Sequence, residues 1–428
     1  MLKFKTHLYR REVVVKRATQ LLIGLVFIAG VVMADGSVES ETASSKVAKV
    51  RTITVGIPLE GTSFDRPVSS ALAFLQEAKK AVAAAGYEVQ TVRLTTTPCG
   101  RYLRNMTPSE TVTWARSLDK VVANGQASAG LGPANGLTVE AVTSLLAQTE
   151  NLSATITVTT ANNQLDEAAI HAAATIIQAL SLRTKLGIGN FRFAAIANCP
   201  AGIPFFPAGY HQGTASDFAV GMEGAAWVLK AFSGAKDVKT ARAGLQQLIV
   251  KDLSPLVKTM ASLEKSSART FSGFDVSTAP QARVSIGRAV EELSGYPFGG
   301  PGTLAVCATI TDVLKGLPFK TCGFSGLMLP IMEDSTLALR AAEGRVNLDQ
   351  LLLYSSVCGT GIDVVPLPGN TPLETLEAII RDVAALSIRW RKPLSVRLLP
   401  VPGKKAGEMT LFSHPFMVNT RILQLPPR

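Results

Sequence analysis

Strand-like and helix-like segments alternate from Val50 almost to the C-terminus, and this limits the fold more than any other feature of the 428-residue chain. Residues 51–58 (RTITVGIP) are β-branched and alternating, which predicts a strand. Residues 70–86 carry Leu72, Phe74, Leu75, Ala78, Val82 and Ala85 at helical spacing and stop at Gly86. A second strand is expected at 87–94 (YEVQTVRL). Thr107-Pro108-Ser109-Glu110 then supplies the N-cap, first-turn proline and third-position glutamate of a helix running to Gly125. Further strands are expected at 153–160, 191–198, 270–275, 326–330 and 394–399, and helices at 167–184, 216–232, 240–265, 282–294, 303–315 and 373–390. This order predicts an α/β fold with a largely parallel sheet, whose sites gather at the C-terminal ends of strands. No Ser/Pro-rich linker divides residues 50–428, so a single closed α/β barrel domain is expected there.

With 47% apolar and 18% charged residues the chain can bury a large core, which excludes disorder as the whole answer. No heptad or short repeat recurs, which removes coiled coils and solenoids. Of the net charge of +11, +5 lies in residues 1–17, and the remaining basic residues are scattered apart from Arg389-Trp390-Arg391-Lys392. With only 6% aromatics among them, no nucleic-acid partner is expected. Residues 21–34 (LLIGLVFIAGVVMA) form an uncharged run, short of the ~20 residues that span a bilayer but suited to a secretory signal closed by a small residue. The expectation is a signal peptide or membrane anchor at 1–34, a polar linker at 35–49, and an exported or membrane-anchored protein that meets a membrane only through this segment. An upstream extension from a misassigned start codon, with a cytoplasmic protein, is the alternative.

Gly- and Pro-rich loops follow the strands at 59–67, 95–100, 198–213, 323–334, 355–370 and 400–407, a composition suited to loops that hold a defined shape. Cys358 follows an apolar run and adjoins Gly359-Thr360-Gly361, whose glycines let a ligand approach the backbone. Its thiol suits a nucleophile or ligand, or else a buried inert cysteine. His211 ends the long Pro-rich loop and suits a general base or metal ligand, with loop stapling as the alternative. Glu60 and Asp65 are the candidate catalytic carboxylates. Ser325, Glu333, Asp334, Ser355, Gly359, Thr360, Gly361 and Asp363 are candidate substrate contacts. No CxxC, HxH or HExxH spacing and no organic cofactor motif occurs, so metal and cofactor stay unassigned. Residues 298–303 (FGGPGT) and 400–405 (PVPGKK) are read as turns rather than anion loops. Cys99 and Cys199 each adjoin a proline just after a strand, and are the pair that an exported chain could oxidise to a disulfide.

The stretches RTITVGIPLEGTSF, FRFAAIANCPAGIPFFPAGYH, GFSGLMLPIMED, LLLYSSVCGTGIDVVPLPG and KPLSVRLLPVPGKKAGE resemble, in order and over nearly all of residues 50–428, the uncharacterised bacterial and archaeal "PFL family proteins". That resemblance implies the ten-stranded α/β barrel of pyruvate formate-lyase and other glycyl radical enzymes, with a loop threaded into the barrel, here that of Cys358. It does not carry the radical chemistry. The Arg-Val-X-Gly-Tyr motif is missing after Pro400, and Ser294-Gly295-Tyr296 lies mid-chain as a helix stop. The expected function is an enzyme acting on a small polar or carboxylated metabolite through Cys358, His211 and loop carboxylates; the alternative is a non-catalytic binder of a small solute outside the cytoplasm. A small molecule is the expected partner, and a homo-oligomer is compatible with the sequence.

Overall fold

In the computed structural model, which describes residues 46–425, β1 (Val50–Ile57) is buried at all eight positions, as a strand covered on both faces must be. Helix α1 (Asp65–Ala84) buries Val68, Ala71, Phe74, Leu75, Ala78 and Val82 against β1 and β2 (Val89–Thr96). Helix α2 (Pro108–Asn124) begins at the capping box legible in the sequence: Glu110 N donates to Thr107 Oγ1 at 3.3 Å, and Thr107 N to Glu110 Oε2 at 2.8 Å. Next come β3 (Ser128–Pro133), α3 (Val139–Ala147), β4 (Leu152–Thr157), α4 (Glu167–Arg183), a 3₁₀ stretch (Lys185–Arg192) and β5 (Phe193–Ala197). The chain continues through β6 (Asp217–Met222), α5 (Ala225–Phe232), α6 (Val238–Ser266), β7 (Thr270–Asp275), α7 (Ile286–Ser294), α8 (Thr303–Lys315), α9 (Ser335–Ala342) and α10 (Leu348–Ser355). It ends with β8 (Gly361–Pro368), α11 (Leu373–Trp390), β9 (Leu394–Val401) and an irregular tail.

The sheet order is β7-β6-β1-β2-β3-β4-β5-β9-β8. Strands β1 to β5 are mutually parallel; β6 joins β1 and β9 joins β5 antiparallel, so each flank carries two strands running the other way. The nine-strand ladder does not close on itself by hydrogen bonds, and β7 and β8 are its two ends. The expected strand at 326–330 is reduced to an isolated bridge, Pro330 to Asp363. The expected helix at 216–232 divides into β6 and α5, because Asp217–Met222 pairs with β1. A short buried apolar run cannot be told from a helix segment by periodicity alone.

Ile53, Val55 and Ile57 join the main apolar cluster with the helices, so alternation turns Thr52, Thr54 and Gly56 to the opposite face. The loop at 198–213 runs across that face. Thr54 Oγ1 donates to Pro204 O at 3.0 Å and His211 N to Thr96 O at 2.9 Å. Glycine is required beneath it: a Cβ on Gly132, at φ 67°, would lie 2.4 Å from Tyr210 Cβ. Ile203, Phe205 and Ala208 of this loop form a second apolar cluster with Ala194, Ile196, Phe324 and Met328.

Two expectations are corrected. The signal-peptide or anchor segment and most of the polar linker lie outside the described residues. Among the described residues no helix is long and apolar enough to cross a membrane: even the 29-residue α6 is amphipathic, with Pro255 and several lysines. The expectation of export or membrane anchoring has no support among the described residues. The Cys99–Cys199 disulfide is absent and both thiols are free. Cys99 follows β2 and Cys199 follows β5, three strand spacings apart, or about 14 Å at ~4.8 Å each, where a bridge needs Cα atoms within ~7 Å.

Candidate functional site

The face crossed by the loop encloses a cavity of about 330 Å³, in the range of small-molecule sites. Its walls include Arg51 of β1, Thr91 and Arg93 of β2, Ser128 of β3 and Ser153 of β4. Arg51, Thr91, Ser128 and Ser153 lie in the N-terminal halves of their strands and Arg93 just past the middle of β2, away from the expected C-terminal rim. The C-terminal side is occupied by the 198–213 loop, whose Phe205, Phe206 and Pro207 form one wall. Ser395 and Arg397 of β9, Thr360, Asp363 of β8 and Glu333 complete the opposite side, and His414 and Phe416 bring in the C-terminal tail.

Two irregularities turn charged groups toward this space. Strict alternation from Ile53 would send Arg51 to the helix side, but the β1–β6 register shifts between Val50 and Thr52. A second shift, between Ile362 and Val365, accompanies a φ of 50° at Val364. A β-branched residue in the left-handed region stores strain, here beside Asp363.

Arg397 donates through Nη2 to Glu333 Oε1 at 2.8 Å and through Nε to Asp363 Oδ1 at 2.6 Å. Arg51 pairs with the other Glu333 oxygen at 3.5 Å and donates to Gln90 Oε1 at 3.0 Å. Both guanidiniums lie over aromatic rings, Arg51 over Phe416 at 4.4 Å and Arg397 over Phe191 at 4.7 Å. Arg192 spends donors on Leu152 O and Leu146 O, each at 2.7 Å.

Arg93 differs. Its guanidinium lies 4.8 Å from the Phe206 ring centroid and, among the described residues, has neither an ion pair within 4 Å nor a hydrogen bond. It is half-buried and lines the cavity. Burial, reinforced by Arg51 and Arg397 and opposed by Glu333, pushes its pKa down to about 9. His414 is lowered by burial and then by Arg397 and Arg51, and its Nδ1 accepts from Phe416 N at 3.3 Å.

Of the residues singled out from the sequence, Glu333, Thr360 and Asp363 come together at this cavity. Asp334 is fully buried scaffold: it caps α9 and accepts from Ser285 and Ile286. Ser325 donates to Cys322 O, and Ser355 to Leu351 O within its helix. Gly359 packs against Gly326. Gly361 N donates to the buried Cys358 Sγ at 3.2 Å, and neither hydrogen bond of that sulfur involves Glu60, Asp65 or His211. Glu60 and Asp65 are exposed. His211 is buried, with Nδ1 3.0 Å from Asp217 Oδ1 and Nε2 without a partner among the described residues. No group of three or more His, Cys, Asp or Glu able to hold a metal ion occurs among the described residues. The sequence reading passed over Arg51, Arg93 and Arg397. Their signal was available: a charge inside each of the β-branched or apolar runs RTITV, QTVRL and SVRLL is costly unless it is paired or used.

The fold and site define a mixed α/β protein with an arginine-rich cavity on the loop-covered face of its sheet. Residues 42–413 match the family described as "Uncharacterised ACR (DUF711)", and the chain belongs to that family. It is 31% identical over 360 residues to a "UPF0210 protein" of Pyrobaculum arsenaticum, covering 77% of this chain and 78% of the relative. A "UPF0210 protein" of Oleidesulfovibrio alaskensis is 28% identical over 400 residues, covering 85% and 88% respectively.

Proposed function

We propose that this chain is a closed α/β barrel of the pyruvate formate-lyase type, comprising residues 50–428, whose cavity binds a small anionic metabolite at Arg93. Closure is supported by residues 320–331, which bond to both ends of the sheet. Phe274 N donates to Lys320 O and Cys322 N to Phe274 O on the β7 side; Gly359 N donates to Leu327 O and Ile331 N to Asp363 O on the β8 side. The loop threaded into the barrel is then 198–213.

The observation that carries the reading is the unpaired guanidinium of Arg93. A half-buried charge without a protein partner is costly, and such a cost persists at sites where a ligand supplies the missing charge. Glu333 and Asp363 are already committed to Arg51 and Arg397. The test is calorimetric titration of the full chain with acetate, pyruvate, succinate and inorganic phosphate, repeated with Arg93→Gln. At least one anion is expected to bind at millimolar affinity or better and to lose tenfold or more in the variant. Absence of binding, or binding indifferent to Arg93, refutes the reading.

Catalysis on the bound anion, the enzyme reading, falls to His414. Burial and two neighbouring arginines favour its neutral ring, and the bond at Nδ1 leaves Nε2–H to donate a hydrogen bond to an oxygen on which negative charge develops. Turnover that is lost in His414→Gln while binding persists would support it.

A further inference from the structure

Resting on the reading of this cavity as an anion site, we propose that its ligand is a monocarboxylate on an apolar, aryl or branched-alkyl body, gripped by Arg93 together with Ser128. Ser128 is the register partner of Arg93 on the adjacent parallel strand, so the two side chains leave the same face about 5 Å apart. Both line the cavity, and among the described residues the Ser128 hydroxyl has no hydrogen-bond partner. A guanidinium edge beside a free hydroxyl offers three donors to two carboxylate oxygens.

Charge limits the ligand to one negative group. Arg51, Arg93, Arg192 and Arg397 line the cavity against Glu150, Glu333 and Asp363, leaving one cation over. A second carboxylate or a phosphate dianion would bring charge toward Glu333 and Asp363, whose cations are taken. The rest of the ligand meets Phe205, Phe206, Phe324, Met328, Ala279 and Pro280, a wall that rewards apolar surface and penalises unmatched hydroxyls.

Calorimetry on the full chain with phenylacetate, 3-methylbutanoate, succinate, inorganic phosphate and neutral phenylacetamide tests this, with Arg93→Gln and Ser128→Ala as variants. Circular dichroism establishes that each variant is folded. One of the two apolar monocarboxylates is expected to bind at least tenfold more tightly than succinate, phosphate or phenylacetamide, to weaken threefold or more in Ser128→Ala, and to be lost in Arg93→Gln. If succinate or phosphate binds as tightly and still requires Arg93, the apolar-monocarboxylate assignment is overturned while the anion site stands. Unchanged affinity in Ser128→Ala removes that residue from the grip. If no anion depends on Arg93, both readings fall.

Discussion

Glu223 is 3% exposed, and burial, helped by Glu88, pushes its carboxyl up from 4.5 to about 7 in spite of Arg51, Lys49 and the hydrogen bond from Gln90. Its Oε1 has no partner among the described residues, so the charged form is poorly solvated where it sits. Between pH 4.5 and 7 the folded chain holds a proton at this site that the unfolded chain has released. The stability it contributes is therefore fully present below pH 4.5 and is lost as the pH rises through 7. A difference of 2.5 units at 1.36 kcal/mol each amounts to about 3 kcal/mol. Glu223→Gln keeps the shape and the acceptor for Gln90 but cannot titrate. Urea unfolding of both proteins from pH 4.5 to 8.5 should show the variant gaining on the wild type by about 3 kcal/mol across that window. Every group common to the two proteins cancels in the difference. A pH-independent difference would mean that the carboxyl titrates as it does in water.

Other perturbations read different parts of the structure. Arg93→Gln removes an unpaired, half-buried charge and should raise stability without ligand by about 1 kcal/mol, seen as a higher urea midpoint at unchanged m. Gly56→Ala would set a Cβ 2.0 Å from Asp217 Oδ1 and 2.4 Å from His211 Nδ1, so the pair must part. A loss of about 1–3 kcal/mol in the same assay is expected. Cys358→Ala should cost about 1–2 kcal/mol, since the thiol is buried and accepts the Gly361 N–H, yet leave ligand affinity as it was. Affinity lost with folding intact would restore that thiol to the site.

What the sequence disclosed followed from periodicity and local chemistry. α1 is legible because its buried residues recur at three and four, and α2 because its capping box is local. β8 escaped because glycine and proline flank and interrupt it, and β3 because its text is SAGLGP. The site was partly legible: the loops holding Glu333, Thr360 and Asp363 could be picked by composition. Its position could not, because only tertiary contact reveals that the 198–213 loop fills the C-terminal side and leaves the opening at the other. Nor could Arg51, which alternation assigns to the helix face and a one-residue register shift returns to the cavity.

The way Arg93 is held also bears on what kind of cation the site needs. Phe206 covers one face of its guanidinium, and the nearby charges of Arg51 and Arg397 are occupied, so what remains is a planar edge with parallel N–H donors. Lysine keeps the charge but presents a compact ammonium that neither stacks on the ring nor forms a fork. If charge alone recruits the anion, Arg93→Lys should bind it nearly as well as the native protein. If the fork and stack matter, affinity should fall tenfold or more although the net charge of the cavity is unchanged, because one of two parallel hydrogen bonds and the ring contact are lost. Titration of the two proteins with the same carboxylate at 20 mM and 200 mM salt separates the cases. A deficit that persists at the higher salt belongs to geometry, since screening weakens only the charge contribution. Equal affinity at both salts would show that Phe206 and the guanidinium plane contribute nothing to recognition.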